Sequence, residues 1–86
     1  MVFVYIMHSL KSDILYVGMT KNLQIRIAQH NKGKSKFTKG HCPWQLIYSE
    51  EAVDYTEGRK REKYLKSAAG KIWLTKQISF GGSLPD

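Results

Sequence analysis

Four scarcities bound this chain of 86 residues: one cysteine, two prolines, seven acidic residues and no long apolar run. The lone Cys42 cannot close an internal disulfide or build a zinc site of several thiolates. Standing before Pro43, it reads as a half-buried thiol rather than a nucleophile, and reduced thiols are what a cytoplasmic chain carries. The longest apolar stretches, residues 1–7 and 14–19, are far too short to cross a bilayer. No basic segment precedes a long apolar one, so no signal peptide is expected. Asp, Glu and His are too scattered for a zinc site. The GxxxxGKS/T pattern of a nucleotide-binding P-loop is missing, and no spacing supports a Ser-His-Asp triad.

What the chain does have is basic charge. Fourteen Lys and Arg oppose seven Asp and Glu, for a net charge of +7 and a pI near 9.7. Such an excess suits a polyanionic partner, nucleic acid before an anionic membrane. With 42% hydrophobic and 24% charged residues the composition is that of an ordinary folded domain. One domain over residues 1–80 with a frayed 81–86 tail is expected, its core adequate but thin.

Two apolar runs, 2–7 and 14–19, read as strands; the short polar link 8–13 makes them an antiparallel hairpin. Asn22 can cap a helix to about Asn31, with Gly33 stopping it. Leu23, Ile27 and Ala28 share its inner face. Residues 32–42, rich in lysine and glycine, read as a mobile basic loop ended by Pro43 and Trp44. Residues 45–49 form a third strand, and 50–54 an exposed acidic link. Asp54 or Thr56 caps a second helix, 57–69, whose first turn Gly58 weakens. Gly70 then separates a third helix, 71–78, that offers Ile72, Trp73 and Ile78 to the core. The expected fold is α/β (α+β): a three-stranded antiparallel sheet flanked by about three helices, in the order β-β-α-β-α-α.

A set of residues able to do chemistry sits on this frame. Tyr5 and Tyr16 lie on the two hairpin strands, where strand residues of matching phase share a face. Either alone is most simply an amphipathic core residue. A phenol, with pKa about 10, becomes a useful base only if a cation or metal lowers that value. Arg26 and His30 are four apart, one helical turn. The guanidinium can donate two bonds to a phosphate, though a solvated helix face would explain it equally well. Glu62, among Arg59, Lys60, Arg61, Lys63 and Lys66, is either a neutralised surface carboxylate or a lone protein ligand for Mg²⁺. The lysines of the loop, Lys32, Lys34, Lys36 and Lys39, can track phosphates, as can Lys21, Arg59 and Lys63. Phe37 can stack on a base or pack down on the core.

In this order the residues resemble the GIY-YIG endonuclease superfamily, in particular its small stand-alone members, similar to the N-terminal domain of the excision-repair nuclease, the excinuclease. Phe3-Val4-Tyr5 stands for G-I-Y, Tyr16-Val17-Gly18 for Y-I-G, then come Arg26-x-x-x-His30 and Glu62. The stretches 33–40, Pro43-Trp44 and Lys60-Arg61-Glu62-Lys63 match the stand-alone branch. The resemblance spans residues 2–77. It implies a three-stranded antiparallel sheet with flanking helices and hydrolysis of DNA phosphodiesters with one Mg²⁺ or Mn²⁺, RNA being open. One tyrosine would activate water and the other would orient it or help bind the metal. Arg26 would stabilise phosphate charge, His30 would assist proton transfer, and Glu62 would hold the cation. A monomer is favoured. Phe3 replaces the first glycine, and Met19 stands where the repair nucleases carry a lysine whose charge would help a tyrosine ionise. The alternative expectation is therefore a non-catalytic nucleic-acid-binding module of the same fold, with a partner-docking domain third.

Overall fold

The computed structural model describes residues 1–77; the expected core residue Ile78 and the expected tail lie outside them. Strand β1 runs Val2–Ser9 and β2 Leu15–Thr20; α1 is Leu23–Asn31, a 3₁₀ turn Thr38–His41, β3 Trp44–Ala52, α2 Tyr55–Leu65 and α3 Ala68–Gln77. The three antiparallel strands are ordered β2-β1-β3, so the expected α/β architecture and element order hold. Because β1 is central, both its faces are covered. Val2, Val4, Tyr5, Ile6 and Met7 are all buried, which is why this segment is continuously apolar rather than alternating. His8 and Ser9, expected in the link, extend β1 by pairing with Gln45 and Trp44.

Alternation along β1 makes two layers. Val4 and Ile6 pack with Leu65 and Leu74 under α2 and α3. Tyr5 and Met7 pack with Trp44 on the other face, against Leu23 and Ile27 of α1. The inner face of α1 is narrower than its sequence suggests, since Ala28 is exposed. Asn22 caps α1 through its side-chain oxygen, accepting from the Ile25 N–H, and Gly33 follows at φ +76°. Both roles match the sequence expectation.

The second half departs more. The link 50–54 is not all exposed: β3 extends to Ala52, and half-buried Glu50 pairs across from Val4. Both oxygens of Glu50 accept from the Arg61 Nε, at 3.0 and 2.9 Å, and Tyr48 donates to Oε1 at 2.8 Å. The Arg61 guanidinium also lies 4.6 Å from the Trp73 ring centroid, so one carboxylate ties β3 to both α2 and α3. Asp54 caps α2, accepting from the Glu57 N–H at 2.9 Å. The helix ends at Leu65, not at 69, because Ser67 caps a new one by accepting the Gly70 N–H.

Gly58 and Gly70 answer to packing rather than to local propensity. Gly58 is buried because a Cβ would sit 2.6 Å from Met19 Sδ and 2.8 Å from Val2 Cγ2. Gly70 lies inside α3 rather than before it, pressed on the end of α2. Ile72, expected in the core, is 61% exposed, and Leu74 takes its place at 2%.

Candidate active site

The hairpin register puts Tyr5 opposite Gly18 and Met7 opposite Tyr16. The two tyrosines are therefore diagonal neighbours on the α1 face, with ring centroids 6.4 Å apart. The Tyr5 ring crosses over Gly18, where a Cβ would fall 2.4 Å from the Tyr5 hydroxyl. Glycine here leaves the room through which the phenol reaches its partner.

That partner is His30, at the end of α1. Its Nε2 is 2.8 Å from the Tyr5 Oη, and its Nδ1 is 2.8 Å from the Thr38 Oγ1. His30 and Thr38 are fully buried. Burial first, and the Arg26 charge second, hold the imidazole pKa down to about 4, so the ring is neutral at pH 7. The Thr38 hydroxyl donates to the Ser35 carbonyl oxygen, 3.5 Å away, leaving its lone pair for the His30 Nδ1–H. On this network-based tautomer assignment, Nε2 carries the free lone pair and Tyr5 donates to it.

The segment carrying Thr38 is not the mobile loop expected from its lysines and glycines. Trp44 Nε1 donates to the Thr38 carbonyl at 2.9 Å, and Cys42 Sγ donates to the His30 carbonyl at 3.0 Å. Asn31 holds the Trp44 backbone through both N–H and C=O. Thr38 is the residue missed by sequence reasoning. Its only sequence signal is a hydroxyl beside an aromatic within a basic run.

Arg26 lies beside the Tyr5 phenol, where its hydrogen bond and charge favour the phenolate. Burial outweighs it, and the Tyr16 and Glu62 sites push the same way as burial, so the Tyr5 pKa is raised. Arg26 also donates from Nη1 to Gln29 at 3.1 Å. Glu62, on α2, has a side chain only 15% exposed and lies 3.5 Å from the Lys66 Nζ. It shares an open recess with Arg59, Lys63 and Lys66. Tyr5, Tyr16, Arg26 and His30 thus converge, and Glu62 is close enough for its charge to act on Tyr5. Met19 points the other way, toward Gly58 and the α2 layer.

Among the described residues no group of three or more His, Cys, Asp or Glu is placed to hold a metal. The donor set is instead one carboxylate beside a cationic recess. The Glu62 carboxylate alone suits a hard divalent cation that keeps most of its waters and takes further oxygens from a phosphate. The seven cations expected to meet nucleic acid, Lys21, Lys32, Lys34, Lys36, Lys39, Arg59 and Lys63, are all exposed.

His30 has a measurable signature. Above pH 6.5 it is neutral in both folded and unfolded chains. As pH falls below 6.5 the unfolded chain takes up a proton that the folded chain refuses until about pH 4. Stability is therefore lost over that window, on the order of 2 kcal/mol of it by pH 5. Urea unfolding at pH 7 and pH 5 should show the drop, and His30→Gln should flatten it.

A family model described as the GIY-YIG catalytic domain matches residues 1–76. The chain is also similar to a UPF0213 protein of Clostridium perfringens, 42% identical over 74% of this chain and 69% of that one. A UPF0213 protein of Staphylococcus haemolyticus is 41% identical over 76% and 79%. Another, of Syntrophus aciditrophicus, is 37% identical over 87% and 90%. No solved structure matches at comparable significance.

Proposed function

From the premise that this chain belongs to the GIY-YIG catalytic domain family, a family of nucleases, we propose that it hydrolyses DNA phosphodiesters with one divalent cation, Mg²⁺ or Mn²⁺. The observation that carries this reading is the buried Tyr5–His30–Thr38 chain beside Arg26. Of the two hairpin tyrosines, Tyr5 has its hydroxyl 2.8 Å from a proton acceptor, the His30 Nε2. As water attacks phosphorus and the P–O bond to the leaving strand breaks, the water gives a proton to the Tyr5 Oη while Tyr5 passes its own to the His30 Nε2, and the departing alkoxide takes a proton from solvent. Thr38 holds the ring in the tautomer this transfer needs. Arg26 contacts the phosphate oxygens. Once its charge is offset by phosphate, one of the two causes depressing the His30 pKa weakens, so the acceptor becomes more basic as substrate binds. Tyr16, edge-on to His30 at 5.2 Å, orients the water. Glu62 would hold the cation, which supplies Lewis-acid stabilisation of the phosphate and leaving oxygen.

One observation favours the non-catalytic module instead: Tyr5 is only 1% exposed and its pKa is raised. Cleavage of labelled branched, flapped and single-stranded DNA, with Mg²⁺ or Mn²⁺, separates the two. Metal-dependent products from the wild type, lost in Glu62→Ala and Arg26→Ala, are expected. Binding without products, equal in all three proteins, would move the function to the binding module.

A further inference from the structure

A cleft of ≈ 350 Å³ opens beside β2, bordered there by Leu15, Tyr16 and Val17. Val17, Leu65 and Leu74 form its apolar wall, Tyr16 and Phe37 its aromatic side, and Lys66 and Lys71 bring cations to it. Phe37 stacks on Tyr16, with centroids 5.9 Å apart and planes 27° from parallel, yet it stays 57% exposed. A phenyl ring that fixed its position only to fill the core would be covered. This one also meets the His41 ring, with centroids 5.4 Å apart, and borders an open apolar slot with lysines beside it, a combination of exposed aromatic and cations that single-stranded nucleic acid binding uses. The volume is at the small-molecule end of pocket sizes, right for one base and not for a duplex.

Two residues join this cleft to the candidate active site. Tyr16 lines the cleft and packs on His30. Lys66 lines it and pairs with Glu62. We infer that the cleft takes one unpaired nucleobase, stacked on Phe37, from the nucleotide beside the phosphate that the site acts on. This rests on the nuclease reading for its position, and it makes single-stranded, gapped or flapped strands the preferred substrate class. A duplex keeps its bases stacked on one another and cannot fill the slot without unpairing.

The test is binding in EDTA, where no cleavage enters. The probes are a short single strand carrying one 2-aminopurine and the same sequence as a duplex. Phe37→Ala should weaken single-strand binding on the order of tenfold and leave duplex binding unchanged. Phe37→Trp should restore the affinity, and 2-aminopurine emission should be quenched by the wild type but not by Phe37→Ala. Circular dichroism of each variant confirms that the exposed side chain is not needed for folding. Equal losses for both probes, no loss for either, or no binding at all would overturn the inference. A chain that passes but never cleaves retains the base site and loses only the nuclease reading.

Discussion

Tyr5→Phe should abolish most cleavage, with single-turnover rates falling by about 10²–10⁴-fold, the range associated with a positioned acid–base group. The ring that fills the layer with Met7 and Trp44 is kept. Only the hydroxyl that the proposed mechanism sets between the attacking water and His30 is removed. The fold should lose less, since a buried His30 Nε2 is left without its 2.8 Å partner; about 1–3 kcal/mol is typical for such an orphan. Tyr16→Phe is the control. If it is the more damaged of the two, the base assignment moves to Tyr16, and the Tyr5–His30 contact becomes structural.

Gly70→Ala is the substitution with the largest expected effect on stability. On a solvent-facing helix it would stabilise by about 1 kcal/mol, alanine being the better helix former. Here a Cβ would lie 2.1 Å from the Tyr64 carbonyl oxygen and 2.7 Å from the Leu65 Cα. Both obstacles are backbone and cannot rotate aside, so α3 must lift from α2 and take Leu74 with it. A net loss of about 3 kcal/mol is expected, which for a chain of this size lowers Tm by roughly 12–24 °C. Thermal unfolding reads the sign directly. An unchanged or raised Tm would mean that α2 and α3 do not meet as described.

These two positions show what sequence could and could not carry. The hairpin, the Asn22 and Asp54 caps, Gly33 and the Arg26–His30 spacing are local patterns, and local patterns are visible in sequence. Gly70 follows the opposite rule. Its propensity says helix break, but the close approach of two helices decides, and that contact depends on where Leu65 and Leu74 are buried. α3 presents Ile72, Trp73 and Leu74 in succession, so periodicity alone cannot say which one faces inward. Thr38 is hidden for a related reason: a threonine among lysines reads as loop until α1 brings His30 over it. Glu50 reads as surface acid until α2 brings Arg61 to it. In each case the deciding contact joins elements that the sequence alone does not place together.

The proposed chemistry turns on the charge state of His30. As a neutral, Nδ1-protonated ring it can receive the Tyr5 proton; as an imidazolium it cannot. The direct measurement is the NMR titration of the His30 ring nitrogens and carbon-bound protons in the folded protein. A pKa near 4 and the Nδ1–H tautomer at neutral pH are expected, with Arg26→Ala raising the pKa because one depressing charge is gone. A ring protonated at neutral pH, or an Nε2–H tautomer donating to Tyr5, would contradict this assignment.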